Sequence, residues 1–144
     1  MKKEKISVVI PVYNEEKVLE RLFERLVPVM EGMNRDYEVV LVDDGSTDDS
    51  LEILISNAGA KIRVVELTRN YGQHAAVFAG FENSDGEIVV TLDADLQNPP
   101  EEIPRLVEVM EKGNYEVVGT VRKVRKDSIF RKIPSRIVNA MTKR

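Results

Sequence analysis

Five short apolar runs alternate along the chain with longer stretches in which apolar residues recur every three or four positions. The runs are Ile6–Ile10, Tyr37–Val42, Ile62–Leu67, Ile88–Leu92 and Tyr115–Val121. Each is too short for a buried helix, and their β-branched residues predict strands covered on both faces. Pro11 closes the first run, since it cannot donate to a sheet ladder. Between the runs the period becomes that of an amphipathic helix. Over about 15–31, Val18, Leu19, Leu22, Phe23, Leu26 and Val29 form one stripe, capped by Asn14, with Pro28 marking a kink or the last turn. Ser46 or Thr47 caps a second helix that runs to about Ala58, and a third covers about 72–83. The fourth begins with Asn98 as cap, Pro99 at its first position and Glu101 three residues on, and ends near Gly113. A last helix spans Ser128–Met141.

This strand–helix alternation predicts an α/β fold of three layers, a mostly parallel sheet with helices on both faces. There is no repeat, linker or low-complexity stretch to divide it. In such sheets ligands bind beyond the carboxyl ends of the strands. The polar signatures lie there: Pro11-Val12-Tyr13-Asn14-Glu15 after the first strand, Asp43-Asp44-Gly45-Ser46-Thr47-Asp48 after the second, Asp93-Ala94-Asp95 after the fourth.

Composition narrows the picture in two ways. With 144 residues, 42% apolar and 32% charged, the chain suits one soluble globular domain, and no apolar run is long enough to span a bilayer. It lacks cysteine, which excludes disulfides and thiolate metal sites, and a cytoplasmic location is expected. The net charge of −4 conceals segregation: residues 122–144 carry nine basic residues against Asp127, a net +8, leaving −12 for the remainder. We therefore divide the chain into an α/β unit over 1–121 and a basic segment over 122–144. The basic segment suits an anionic partner such as lipid head groups. Its stripe of Ile129, Ile133, Ile137 and Met141 suits either a membrane surface or another part of the protein. The acidic remainder argues against nucleic acid.

Two carboxylates one residue apart, where a strand gives way to a loop, can turn toward one hard cation. Asp93 and Asp95 thus suit Mg2+ or Mn2+, with Gln97 as a further oxygen and open positions for phosphates. A D-x-D triplet alone is common; its place after a strand and before a capped helix strengthens it. Asp43 and Asp44 can accept hydrogen bonds from a nucleobase, while Gly45 permits a tight turn. Tyr13 offers an aromatic face to a base or ribose, and Glu15 a carboxylate at a helix start, where dipole complementarity is the plainer explanation. Arg69 suits phosphate contact or pairing with a nearby acid. His74, the single histidine, excludes a multi-histidine metal site and reads as a helix-start residue. No G-x-G-x-x-G follows the first strand, which excludes a dinucleotide-binding dehydrogenase.

With these motifs in place, the chain resembles the family 2 glycosyltransferases of GT-A fold, and within them the polyprenyl-phosphate glycosyltransferases, the group that includes dolichyl-phosphate mannose synthase. The resemblance rests on Val9–Glu15, Val42–Asp48 and Leu92–Glu101. The stretches Arg69–His74 and Val118–Arg122 look closest to the bacterial undecaprenyl-phosphate 4-deoxy-4-formamido-L-arabinose transferases. The resemblance implies inverting transfer of a sugar from a UDP- or GDP-linked donor to a polyprenyl phosphate, at the inner face of the cell membrane. It implies that Pro11, Tyr13, Glu15, Asp43, Asp44, Arg69 and Asp93 hold the nucleotide, and that Asp93, Asp95 and Gln97 coordinate Mg2+ or Mn2+. Arg122 and Arg131 match arginines near the donor and acceptor phosphates, which with Asp95 makes three candidate catalytic residues. Family members continue past the equivalent of Arg144, so the expectation is a donor half whose acceptor half lies beyond this sequence. A non-catalytic nucleotide-sugar module, a saccharide acceptor and homo-oligomerisation remain open.

Overall fold

The computed structural model describes residues 3–120. Four strands, β1 (Ile6–Val12), β2 (Tyr37–Asp43), β3 (Ile62–Glu66) and β4 (Ile88–Thr91), form one sheet in the order β3-β2-β1-β4, every pair parallel. Helices α1 (Glu16–Gly32), α2 (Ser50–Ser56), α3 (Gln73–Glu82) and α4 (Ile103–Gly113) follow the strands in turn, with a single 3₁₀ turn at Pro100–Glu102 leading into α4.

Strand alternation divides the core. Ile6, Val8, Ile10 and Val12 of β1, with Val39 and Leu41 of β2, face α1, α2 and α4. There they pack on Leu19, Leu22, Leu26, Met30, Leu54 and Ile103. Val9, Val40 and Val42 point the other way, onto α3 through Ala76. The layered α/β architecture is therefore as expected, with one thick face and one thin one. Among the described residues no helix is long and apolar enough to cross a membrane.

Several boundaries differ from the sequence reading, each for a physical reason. Pro11 lies inside β1 and pairs with Val42. The carbonyl of Val12 accepts from Asp44 on the β2 side and that of Val9 from Leu92 on the β4 side. Pro11 shares the parity of Val9, so its ring nitrogen points past the last β4 pair, Val9–Thr91, where no donor is needed. Asn14 does not cap α1; it sits at φ 53° and bonds the next loop instead. Ser46 and Thr47 do not cap α2, which begins only at Ser50. Pro100 rather than Pro99 takes the first helical position, and Asn114 rather than Gly113 supplies the left-handed residue after α4. α1 continues past Pro28 to Gly32. The expected fifth strand is absent where it can be seen, since Tyr115–Thr120 forms no ladder. The expected helix at 128–141 lies outside the described residues.

A buried polar cluster closes the N-terminal end of the sheet. Glu38, 5% exposed, accepts from the Ser7 hydroxyl (2.6 Å) and the Asp85 N–H (2.6 Å), and the Gly86 N–H in turn donates to Ser7 (2.8 Å). Lys5 (3.4 Å) and Arg63 (3.6 Å) neutralise its second oxygen. Burial pushes this carboxyl up, but the hydrogen bonds and Lys5 outweigh it, and the net value lies below the ordinary glutamate range.

Candidate functional site

The carboxyl ends of all the strands but β3 open directly onto one cleft of about 300 Å3, and the loop after β3 supplies its remaining wall. Pro11, Tyr13 and Glu15 enter from β1, Asp44 from β2, Asn70 and Gln73 from the loop and helix start beyond β3, and Asp93 and Asp95 from β4. Six of the residues singled out in the sequence thus share one cavity. Asp43, Arg69 and Gln97 stand outside its lining, and Arg122 and Arg131 lie outside the described residues.

The adjacent aspartates after β2 divide their labour because neighbouring positions face opposite sides of the sheet. Asp43 shares a face with Leu41. One of its oxygens accepts from the Gly45 and Ser46 N–H groups, both at 3.1 Å, which closes a tight turn. Its other oxygen is buried without a hydrogen-bond partner among the described residues. Asp44 faces the α3 side. Its two oxygens accept from the N–H groups of Tyr71 (2.7 Å) and Gly72 (2.9 Å), so it clamps the loop that begins α3. That loop lies hard against Gly45: a Cβ there would meet the Arg69 carbonyl carbon at 2.4 Å, and Gly45 has φ 70°. Arg69 is exposed and stacks over the Tyr71 ring, 4.9 Å from its centroid.

A second lock joins the loops after β1 and β2. The Asn14 side-chain oxygen accepts from the Thr47 N–H (2.8 Å), and the Asn14 N–H donates to the Ser46 hydroxyl (3.0 Å). The Glu15 N–H donates to the Ser50 hydroxyl (2.8 Å). Together with the Glu16 N–H donating to the Asp48 carboxylate (3.3 Å), these bonds take over the role of a cap for α1 and fix the backbone beside Tyr13. Ser46 and Thr47, which looked like caps of their own helix, serve their neighbour.

Beyond the end of β4 the chain enters a turn that brings Asp93 and Asp95 to the same cleft. One oxygen of Asp93 accepts from the Gln73 amide (2.8 Å), and one of Asp95 from the Gln97 N–H (3.0 Å). Leu96, between Asp95 and Gln97, is left-handed (φ 59°) while its side chain packs against the core, so apolar burial holds a turn that the backbone alone disfavours. Burial raises the pKa of Glu15, and the facing carboxylates of Asp95 and Asp48 raise it further. Among the described residues no cation pairs with Glu15, Asp44, Asp93 or Asp95. No group of three acids or histidines there is arranged around a single metal position. Oxygen donors from two carboxylates suit a hard divalent cation whose remaining positions are filled by phosphate and water.

Asn70 and Gln73 are the polar side chains of the lining that the sequence did not mark. Both lie within a stretch already noticed, but an amide at a helix start has no distinguishing pattern; only the packing of α3 across β1 and β2 brings Gln73 to Asp93.

Comparison with known proteins agrees with this geometry. The model of the family described as "Glycosyl transferase family 2" matches residues 7–144. The undecaprenyl-phosphate 4-deoxy-4-formamido-L-arabinose transferase of Sodalis glossinidius is 56% identical over 147 residues, covering 100% of this chain and 45% of that protein. The protein of the same name from Serratia proteamaculans is 56% identical over 143 residues, covering 97% and 44%. The chain thus spans less than half the length of these relatives. Among solved structures, glucosyl-3-phosphoglycerate synthase of Mycobacterium tuberculosis, in complex with Mn2+, UDP and phosphoglyceric acid, superposes with a TM-score of 0.61. It is 33% identical, over 74% of this chain and 39% of that one. The fold is GT-A, as the resemblance implied.

Proposed function

The chain belongs to glycosyl transferase family 2, and on that premise we propose that it forms the donor side of an enzyme transferring a sugar, with inversion, from a nucleoside diphosphate sugar to a polyprenyl phosphate. The observation that carries this reading is the cleft itself: Asp93 and Asp95, without cationic partners among the described residues, face Tyr13 and Glu15 across one cavity at the strand ends. The names of the 56%-identical relatives supply the acceptor and the sugar class, undecaprenyl phosphate and an aminopentose derivative. The manganese and UDP of the mycobacterial complex support the donor and the metal.

In this reading Pro11, Tyr13, Glu15, Asp43, Asp44 and Arg69 shape the nucleotide end of the site, with Asp43 and Arg69 acting from behind its wall. Asp93 and Asp95 hold the cation, with Gln97 as a third oxygen. When bound, Mg2+ or Mn2+ neutralises charge on the departing diphosphate. Arg122 and Arg131 add positive charge near the donor and acceptor phosphates. A phosphate acceptor is already ionised near neutral pH, so no strong general base is required, and positioning with charge neutralisation carries the rate. Because the acceptor is a membrane lipid, the basic segment over 122–144 works at a membrane surface.

Replacing Asp95 by Ala is expected to remove manganese-dependent UDP binding, measured by calorimetry, while leaving the fold intact by circular dichroism. Unchanged manganese-dependent affinity refutes the metal assignment. Incubation with a UDP-linked aminopentose, undecaprenyl phosphate and Mn2+ tests turnover. Binding without turnover makes this chain a donor-binding module and not, by itself, an enzyme.

A further inference from the structure

We infer that Gln73 is a positioning residue for the cation site, a role that rests on Asp93 being a metal ligand as proposed above. Asp93 lies on a short side chain at the start of a turn, and a free carboxylate there can rotate about its last bond. The Gln73 amide nitrogen, 2.8 Å from one oxygen of the cleft-lining Asp93, fixes that rotation and leaves the second oxygen for a cation. Gln73 makes no ion pair and carries no charge, so it orients the carboxylate without competing for it as a lysine would. An amide donor also cannot be lost by titration.

What gives the contact its precision is the anchoring of Gln73 from the far side of β1. Gln73 is the first residue of α3, and the two N–H groups immediately before the helix, those of Tyr71 and Gly72, end on the two oxygens of Asp44. Gly72, at φ 98°, lets the chain turn directly from that clamp into the helix. A strap therefore runs from the end of β2, over the end of β1, to the end of β4. Two strands that do not touch each other in the sheet are coupled through it. Carboxylates that bind metals are commonly held by such outer partners, whose removal weakens affinity by about 10–100-fold.

The test is a double-mutant cycle in the intact chain, with UDP as probe and Mn2+ present or absent, read by calorimetry. Gln73→Ala is expected to lower the manganese-dependent gain in UDP affinity about 10-fold, while UDP affinity without metal changes less than about 2-fold. In an Asp93→Asn background the same substitution is expected to cost less than about 2-fold, because the carboxylate it orients is gone. Thermal unfolding of Gln73→Ala should match the parent, as the residue is exposed. An equal loss in both backgrounds, or an equal loss with and without Mn2+, overturns the assignment and makes Gln73 a direct contact to the nucleotide or a general structural residue. Should Asp95→Ala abolish the manganese gain while Gln73→Ala leaves it untouched, the metal site stands and the positioning role falls. A parent chain with no manganese-dependent gain removes both.

Discussion

At one end of the sheet Glu38 is buried and saturated: a hydroxyl, a backbone N–H, Lys5 and Arg63 meet its two oxygens, and its pKa is depressed. At the other end Glu15 has no cation beside it among the described residues, and burial, then the carboxylates of Asp95 and Asp48, raise its pKa. The same short polymer therefore treats two glutamates in opposite ways about seven residues apart along the parallel strands, roughly 20 Å at ~3.3 Å per residue. Glu38, which ties the strand starts together, is given its counter-charges by the chain. The carboxylates gathered around the cleft meet no counter-charge among the described residues, which is the electrostatic condition for recruiting a cation from solution.

Removing Glu38 should have the largest effect. Glu38→Ala leaves the Asp85 N–H and the Lys5 ammonium without their acceptor and is expected to cost about 3 kcal/mol in urea denaturation. UDP binding with Mn2+ should survive in the folded fraction, since the cluster is remote from the cleft. Gly45→Ala should cost about 2 kcal/mol, from a left-handed backbone and overlap with the Arg69 main chain. Unlike the first variant it should also weaken UDP binding, because the wall formed by residues 69–72 must shift.

The smallest change has the most telling sign. Glu15→Gln is expected to stabilise the chain by about 0.5 kcal/mol at neutral pH, by removing a partly buried charge and its repulsion by Asp95 and Asp48, while weakening manganese-dependent UDP binding. A raised folded pKa means that ionised Glu15 costs stability above that value and costs nothing below the ordinary glutamate range. The advantage of Glu15→Gln should therefore fade as pH falls through that window. Glu38 behaves inversely: its contribution is present above the ordinary glutamate range and is lost as pH falls through its depressed value. Melting temperatures of Glu15→Gln and Glu38→Gln, followed from pH 7 downward, should approach the parent from opposite sides. Parallel pH curves for the two variants would dissolve the distinction drawn between the two ends.

Much of this was readable in the sequence because the strands are buried on both faces and the polar motifs follow them. Apolar runs ending in Asp-Asp-Gly-Ser or Asp-Ala-Asp locate strand ends with little ambiguity, and parallel topology then gathers those ends. The caps were misassigned for an equally physical reason. Asn14, Ser46 and Thr47 are the right residue types for capping, but their hydrogen bonds run between loops about 30 residues apart, and local pattern cannot show which partner a hydroxyl chooses. The expected strand at Tyr115–Val121 has the propensity, yet ladder formation depends on an edge meeting it, which propensity does not encode.

α3 rests on the thin face of the sheet with almost nothing between them. A methyl group at Gly80 would meet the Val9 Cγ1 at 2.2 Å, so the absence of a side chain there sets how low the helix rides. Gly80 lies two turns along from Gln73, and a wedge beneath that end would tilt the helix as a lever tilts on its fulcrum. A displacement of under an ångström at its start is enough to part the Gln73 amide from Asp93. The tuning of the proposed cation site thus extends to a residue outside the cleft lining, and substitutions at Gly80 are a route by which selection could loosen or tighten it.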